Sequence, residues 1–166
     1  MNEKRTLIER YLPVEELSRE AKEEKKPAYH PPISDMKFYW TRKPLITARA
    51  AIIAGILPED YDIDSFKKNI HLNENKRAHF YDFDEKFRKD LKRYFKEQFE
   101  TDAAVICDPF SGGGSIPFEA MRLGLDTYIN DYNPLSWIIS NATLIYPSIY
   151  KDLCIIVEQI YDDIEK

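Results

Sequence analysis

The chain has 166 residues, with 24 Lys and Arg against 29 Asp and Glu, giving a net charge of −5. That length suits one domain or a small domain with an extension. No stretch approaches the ~20 apolar residues of a membrane span, and the acidic balance argues against a free-standing nucleic-acid binder, which needs local excess positive charge.

The charged start, Met1-Asn2-Glu3-Lys4-Arg5, leads into no long apolar region, so no secretory signal is expected. Pro13 falls in the first turn of a predicted helix reaching about Lys26. Its far half, from Ser18, is almost wholly polar and is expected to be exposed. Pro27, Pro31 and Pro32 mark an extended connector. Pro44 opens a second helix through Ile46, Ala50, Ile53 and Leu57, ended by Pro58; it is apolar on most sides and should be buried, with Arg49 inside it. Residues 59–81 are polar and read as an irregular excursion. From Asp82, a fair N-cap, Phe83, Phe87, Leu91, Tyr94, Phe95 and Phe99 fall on one face of an amphipathic helix. The basic residues from Lys86 to Lys96 are interleaved with acids and read as its solvated face.

Ala104-Val105-Ile106-Cys107 read as a short buried strand. It runs into Asp108-Pro109-Phe110-Ser111-Gly112-Gly113-Gly114-Ser115, which holds three of the five glycines. A helix through Ile116, Phe118, Ala120 and Leu123 follows, stopped by Gly124. Asp126 to Asn130 read as a second strand, and Pro134 begins a helix closed by Pro147. The segment from Ile149 to Ile164 is again amphipathic. Cys107 and Cys154 have no metal spacing and read as reduced core thiols, which places the chain in the cytoplasm.

The chemistry concentrates in the glycine turn. Glycine lets the backbone adopt positive φ and approach a ligand closely, and the helix N-terminus beyond offers free N–H groups. Asp131 lies seventeen residues past Gly114, where an acid at the end of the second strand can accept hydrogen bonds from ribose hydroxyls. A dinucleotide needs G-x-G-x-x-G, but the third position here is Pro117. S-adenosylmethionine carries no phosphate, and Asp108 suits its ammonium group. Both features favour S-adenosylmethionine over a dinucleotide or an empty tight turn.

The run from Asp108 to Ser115 resembles the S-adenosylmethionine motif of amino-methyltransferases acting on nucleic-acid bases. Together with Ile116-Pro117-Phe118-Glu119-Ala120, Asn130-Asp131-Tyr132-Asn133-Pro134 and the upstream Tyr39-Trp40-Thr41-Arg42-Lys43-Pro44-Leu45, it is similar to the N-terminal part of prokaryotic adenine-specific-type DNA methylases, which begin with a domain of unassigned function. The resemblance implies an α/β fold: a partial Rossmann-like methyltransferase sheet with an N-terminal helical extension. It divides the chain into the extension (1–58), an insertion with the amphipathic helix (59–100) and the first β-α-β-α of the cofactor domain (101–166). It implies cofactor contacts from Asp108, Pro109, Phe110, Ser111, Gly112 and Gly114 on the methionine side and Asp131 on the ribose. It further implies Tyr132 or Asn133 near the adenine, and Lys43 either near the cofactor carboxylate or capping the loop from the surface. Trp40 reads as a core anchor ahead of a stacking platform.

Methylation of an exocyclic amine needs a second motif, Asp/Asn-Pro-Pro-aromatic, to hold the flipped base. These 166 residues contain none, so no catalytic residue and no metal ligand is assigned. The expectation is the cofactor-binding portion of a DNA methyltransferase acting on adenine or cytosine, split or truncated, with DNA met through the complete enzyme and a second subunit carrying the catalytic motif. An RNA guanine methyltransferase fragment and a degenerate cofactor- or partner-binding module are the alternatives.

Overall fold

A computed structural model describes residues 4–26, 39, 42–72 and 77–149. The connector at 27–38, Trp40 and the amphipathic segment beyond Ile149, with Cys154, lie outside the described residues.

Helix α3 (Leu45–Ile56) is the centre of the molecule. Apolar side chains surround it, a pattern that only an enclosed helix satisfies, and Ile46, Ala50, Ile53 and Ala54 are fully buried. Helices α1 (Leu7–Arg10), α2 (Val14–Glu24), α5 (Glu85–Phe99) and α6 (Ser115–Arg122) pack on it. The core joins Leu7, Leu17, Ile53, Phe66, Leu91, Phe95, Ala120 and Leu123, so it draws on all three stretches distinguished in the sequence.

The polar stretch from Ser18 to Lys26 is exposed at Ser18, Arg19, Lys22, Lys25 and Lys26, as its composition suggests, but Glu20 and Glu24 on the inner side of α2 are buried. Glu24 reaches across to the start of α3, where one carboxylate oxygen accepts from the Leu45 N–H at 2.8 Å and the other from the Ile46 N–H at 3.2 Å. Those N–H groups have no partner inside their own helix, and Pro44 before them has no capping side chain. An acid from a neighbouring helix therefore serves as the cap. Burial holds the Glu24 carboxyl above its usual range, against the two N–H bonds that favour the charged form. Glu20 pairs with Arg77 at 2.7 Å.

The excursion at 59–81 also holds more structure than its polarity indicates. Asp62 accepts from the Ser65 N–H at 2.7 Å and caps α4 (Ile63–Asn69), whose Phe66 is fully buried. Helix α5 starts at Glu85, not near Asp82. Asp84 is its cap, accepting from the Lys86 N–H at 2.6 Å, and Phe83 enters the core ahead of the helix.

Strands β1 (Val105–Asp108) and β2 (Asp126–Ile129) form a two-stranded parallel sheet, with Val105 opposite Asp126 and Asp108 opposite Ile129. Helix α6 makes the crossover and, as expected, stops at Gly124, whose φ of +76° suits the left-handed cap. The architecture is mixed α/β with a small sheet. Parallel strands are ordinarily enclosed on both faces, whereas among the described residues β1 has a strand neighbour on one side only. Cys107 is accordingly exposed, contrary to its expected place in the core. It borders a groove of about 660 Å³ shared with Ala51, Gly55 and Phe99. After β2 come α7 (Pro134–Ser140), a π-helical turn at Asn141–Ile145 and α8 (Tyr146–Ile149). Pro147 does not close this region. The π turn has already interrupted the i→i−4 ladder before the proline ring enters the first turn of α8.

Candidate functional site

Strand β1 ends at Asp108, and the next six residues turn before α6 begins. Gly112 (φ +52°) and Gly114 (φ +73°) occupy the left-handed region, where a Cβ would clash with the chain's own backbone. The Gly114 N–H donates to the Ser111 carbonyl at 2.7 Å, and Gly114 is the N-cap of α6.

The end of β2 fastens this turn. One Asp131 oxygen accepts from the Gly112 N–H at 2.7 Å and the other from the Asn133 N–H at 2.8 Å. The Ser136 hydroxyl donates to the Gly112 carbonyl at 2.7 Å. Asp131 thus shapes the turn directly, in addition to the ribose role the resemblance implies. Its carboxyl is held below the usual carboxylate range, chiefly by the Asn133 N–H and then by the Gly112 N–H. A depressed carboxyl stabilises the fold above its unfolded value of 3.8 and loses that contribution as pH falls through the lower folded value. The stability gap between wild type and Asp131→Ala should therefore be constant at neutral pH and shrink below pH 3.8. Denaturant titrations at several pH values check this; a gap that widens in acid would contradict it.

The N-terminal region supplies the facing wall. Carbon atoms of the Tyr39 ring come within 3.2 Å of where a Cβ on Gly112 would stand, and the Arg42 side chain within 3.3 Å of one on Gly113. The Ser115 hydroxyl donates to the Lys43 carbonyl at 2.7 Å. Beneath the turn, Arg49 of α3 meets Glu119 of α6 at 2.7 Å, both side chains fully buried. Arg122 contacts the other Glu119 oxygen at 2.9 Å, and the Arg49 guanidinium lies 4.5 Å from the centre of the Phe83 ring.

Together these elements enclose a pocket of about 230 Å³. Of the site residues named from the sequence, Lys43, Asp108, Phe110, Ser111, Gly112 and Asp131 border it. Pro109, Gly114 and Tyr132 do not: Pro109 is exposed, Tyr132 is wholly solvent-exposed, and Gly114 caps the helix. Sequence reasoning passed over Tyr39, Gly113, Ser115 and Ile116 as lining residues. Tyr39 stands within the quoted upstream segment, but nothing local in the sequence reveals that it lies on a turn 73 residues away.

Asp108 is the informative group. It is 7 % exposed, and one oxygen accepts from the Phe110 N–H at 3.2 Å. The other is buried and has no hydrogen-bond partner among the described residues. An orphaned buried acceptor is destabilising by ~1–3 kcal/mol, more when charged, and a ligand that brings a donor removes the penalty. The group implied by the resemblance fits on this ground. A glycine cradle that any Cβ would fill lies beside a buried carboxylate suited to an ammonium. At about 230 Å³ the pocket is below the roughly 300–1,000 Å³ of complete small-molecule sites, so it suits one end of such a ligand. Among the described residues, no group of three His, Cys, Asp or Glu could hold a metal, and no helix is long and apolar enough to cross a membrane.

A parallel β-α-β unit with a glycine turn between acids at or just past two strand ends is the arrangement at which α/β folds ordinarily place their ligands. A family model described as a protein of unknown function (DUF1156) matches residues 11–95, just over half of the chain, and the chain belongs to that family. A second model, D12 class N6 adenine-specific DNA methyltransferase, matches residues 88–166, the stretch carrying the glycine turn and both acids. Over residues 88–166 the chain is thus similar to adenine-specific DNA methyltransferases, as its motifs imply. No curated protein and no solved structure matches it.

Proposed function

We propose that this chain is the cofactor-binding portion of an S-adenosylmethionine-dependent DNA methyltransferase acting on the adenine amino group. The observation that carries the reading is the unpartnered, buried Asp108 oxygen beside the glycine turn, within the stretch similar to adenine-specific methyltransferases. When bound, S-adenosylmethionine supplies an electrophilic methyl group on a sulfonium centre. This chain's residues would hold it: Asp108 would receive the ammonium, the Gly112–Gly113 backbone would border the methionine, and Lys43 would pair with the carboxylate. Asp131 keeps the turn in shape and offers its remaining lone pairs to the ribose.

The Asp/Asn-Pro-Pro-aromatic motif that would hold the target base is not among these 166 residues. In our reading a second subunit completes the sheet along the open side of β1. The apolar groove at Cys107, Ala51, Gly55 and Phe99 supports that reading, as do the exposed Trp137 and Ile138 on α7. A non-enzymatic module that binds cofactor alone is the second reading. Transfer of a labelled methyl group to duplex DNA, measured with and without a chain carrying that motif, separates the two. Label on adenine only in the presence of both chains supports the methyltransferase; none in either case leaves the binding module.

A further inference from the structure

We propose that Tyr39 is a specificity-determining residue of this pocket, and that its ring makes the site prefer a sulfonium ligand over the uncharged thioether left after methyl transfer. The inference rests on the reading of the site as one for S-adenosylmethionine. Tyr39 borders the same pocket as Asp108 and Asp131, and its ring lies against Gly112, with ring carbons 3.2 and 3.6 Å from where that residue's Cβ would be. A Cβ at position 112 would press tightly on the ring, so turn and ring fit each other closely.

The charge distribution makes the ring more than filler. Asp108 presents a buried carboxylate oxygen with no partner among the described residues, and Lys43 is the single cation among the described lining residues, with the Arg42 side chain against Gly113. An aromatic ring and a buried carboxylate border one small cavity; a cation seated over the ring would be attracted by both, and the attraction to the ring strengthens as water is excluded. A ligand with a fixed positive charge gains from both; its demethylated thioether gains only from the carboxylate. This gives the N-terminal region, which belongs to a family of unknown function, a defined part in the site: it supplies the aromatic wall, anchored through Lys43 to Ser115 and through Arg49 to Glu119.

The test compares equilibrium affinities of the full chain for S-adenosylmethionine and S-adenosylhomocysteine. Position 39 carries Tyr, Phe, Leu or phenylalanines of increasing fluorine content, which keep the ring's shape while draining its face of electron density. Tyr39→Phe should retain the preference for the sulfonium. Tyr39→Leu should weaken S-adenosylmethionine about three- to tenfold relative to the thioether, and successive fluorines should erode the preference stepwise. Equal loss for both ligands in Tyr39→Leu, or a fluorine series without trend, would overturn the role of Tyr39 and leave the site intact. A wild-type chain that binds neither ligand would overturn the reading of the site, and the role of Tyr39 with it.

Discussion

Replacing Glu119 by Ala should cost about 3–5 kcal/mol of folding stability, the usual effect of removing one partner from a buried ion pair. Arg49 is fully enclosed. Burial already pulls its guanidinium down from its ordinary value, with Glu119 the main opposing influence. Without the carboxylate, that charge would remain in an apolar core against Phe83. Arg122 would lose its partner as well, though it keeps the carbonyls of His79 and Tyr81 at 3.2 and 2.7 Å. The loss matters to the site because the pair joins α3, which carries Lys43 and Tyr39 on its leading segment, to α6, which starts at the glycine turn. Urea denaturation of wild type and Glu119→Ala measures the effect. A difference under about 1 kcal/mol would mean that water or rearrangement already compensates Arg49, and that the pair does not hold the two regions together.

Replacing Asp108 by Asn should separate binding from stability. Asn is close in shape and keeps an acceptor for the Phe110 N–H, but it removes the charge. A charge-assisted hydrogen bond contributes about 1.5–3 kcal/mol, so affinity for S-adenosylmethionine should fall roughly 10- to 150-fold. The unliganded protein should be no less stable than wild type, because the substitution removes a buried, half-satisfied carboxylate. Sites often keep such strained groups at the expense of stability. Equilibrium binding and thermal denaturation read the two effects. Lost stability with unchanged affinity would make Asp108 a structural residue of the turn.

The elements that carry the site were the most legible in the sequence. The glycine run has a local cause, positive φ at Gly112 and Gly114, and local causes leave local signatures. The same holds for Gly124 and for the enclosed apolar helix α3. What the sequence concealed depends on contacts between distant segments. Glu24 looks like surface charge until the bare N–H groups of Leu45 and Ile46 are placed against it. Glu119 sits in a recognisable motif, but its partner Arg49 lies 70 residues away. Phe66 gave too short an apolar signal for α4 to stand out from its polar surroundings. Cys107 is exposed although an apolar run implies a covered strand, because among the described residues β1 has a strand neighbour on one side only.

The central claim is that the pocket under the glycine turn holds the methyl donor. Isothermal titration of the full chain with S-adenosylmethionine tests it most directly. The account predicts saturable one-to-one binding that Asp108→Asn weakens by at least tenfold. Absence of binding to the wild-type chain, both alone and with a partner carrying the catalytic motif, would contradict it.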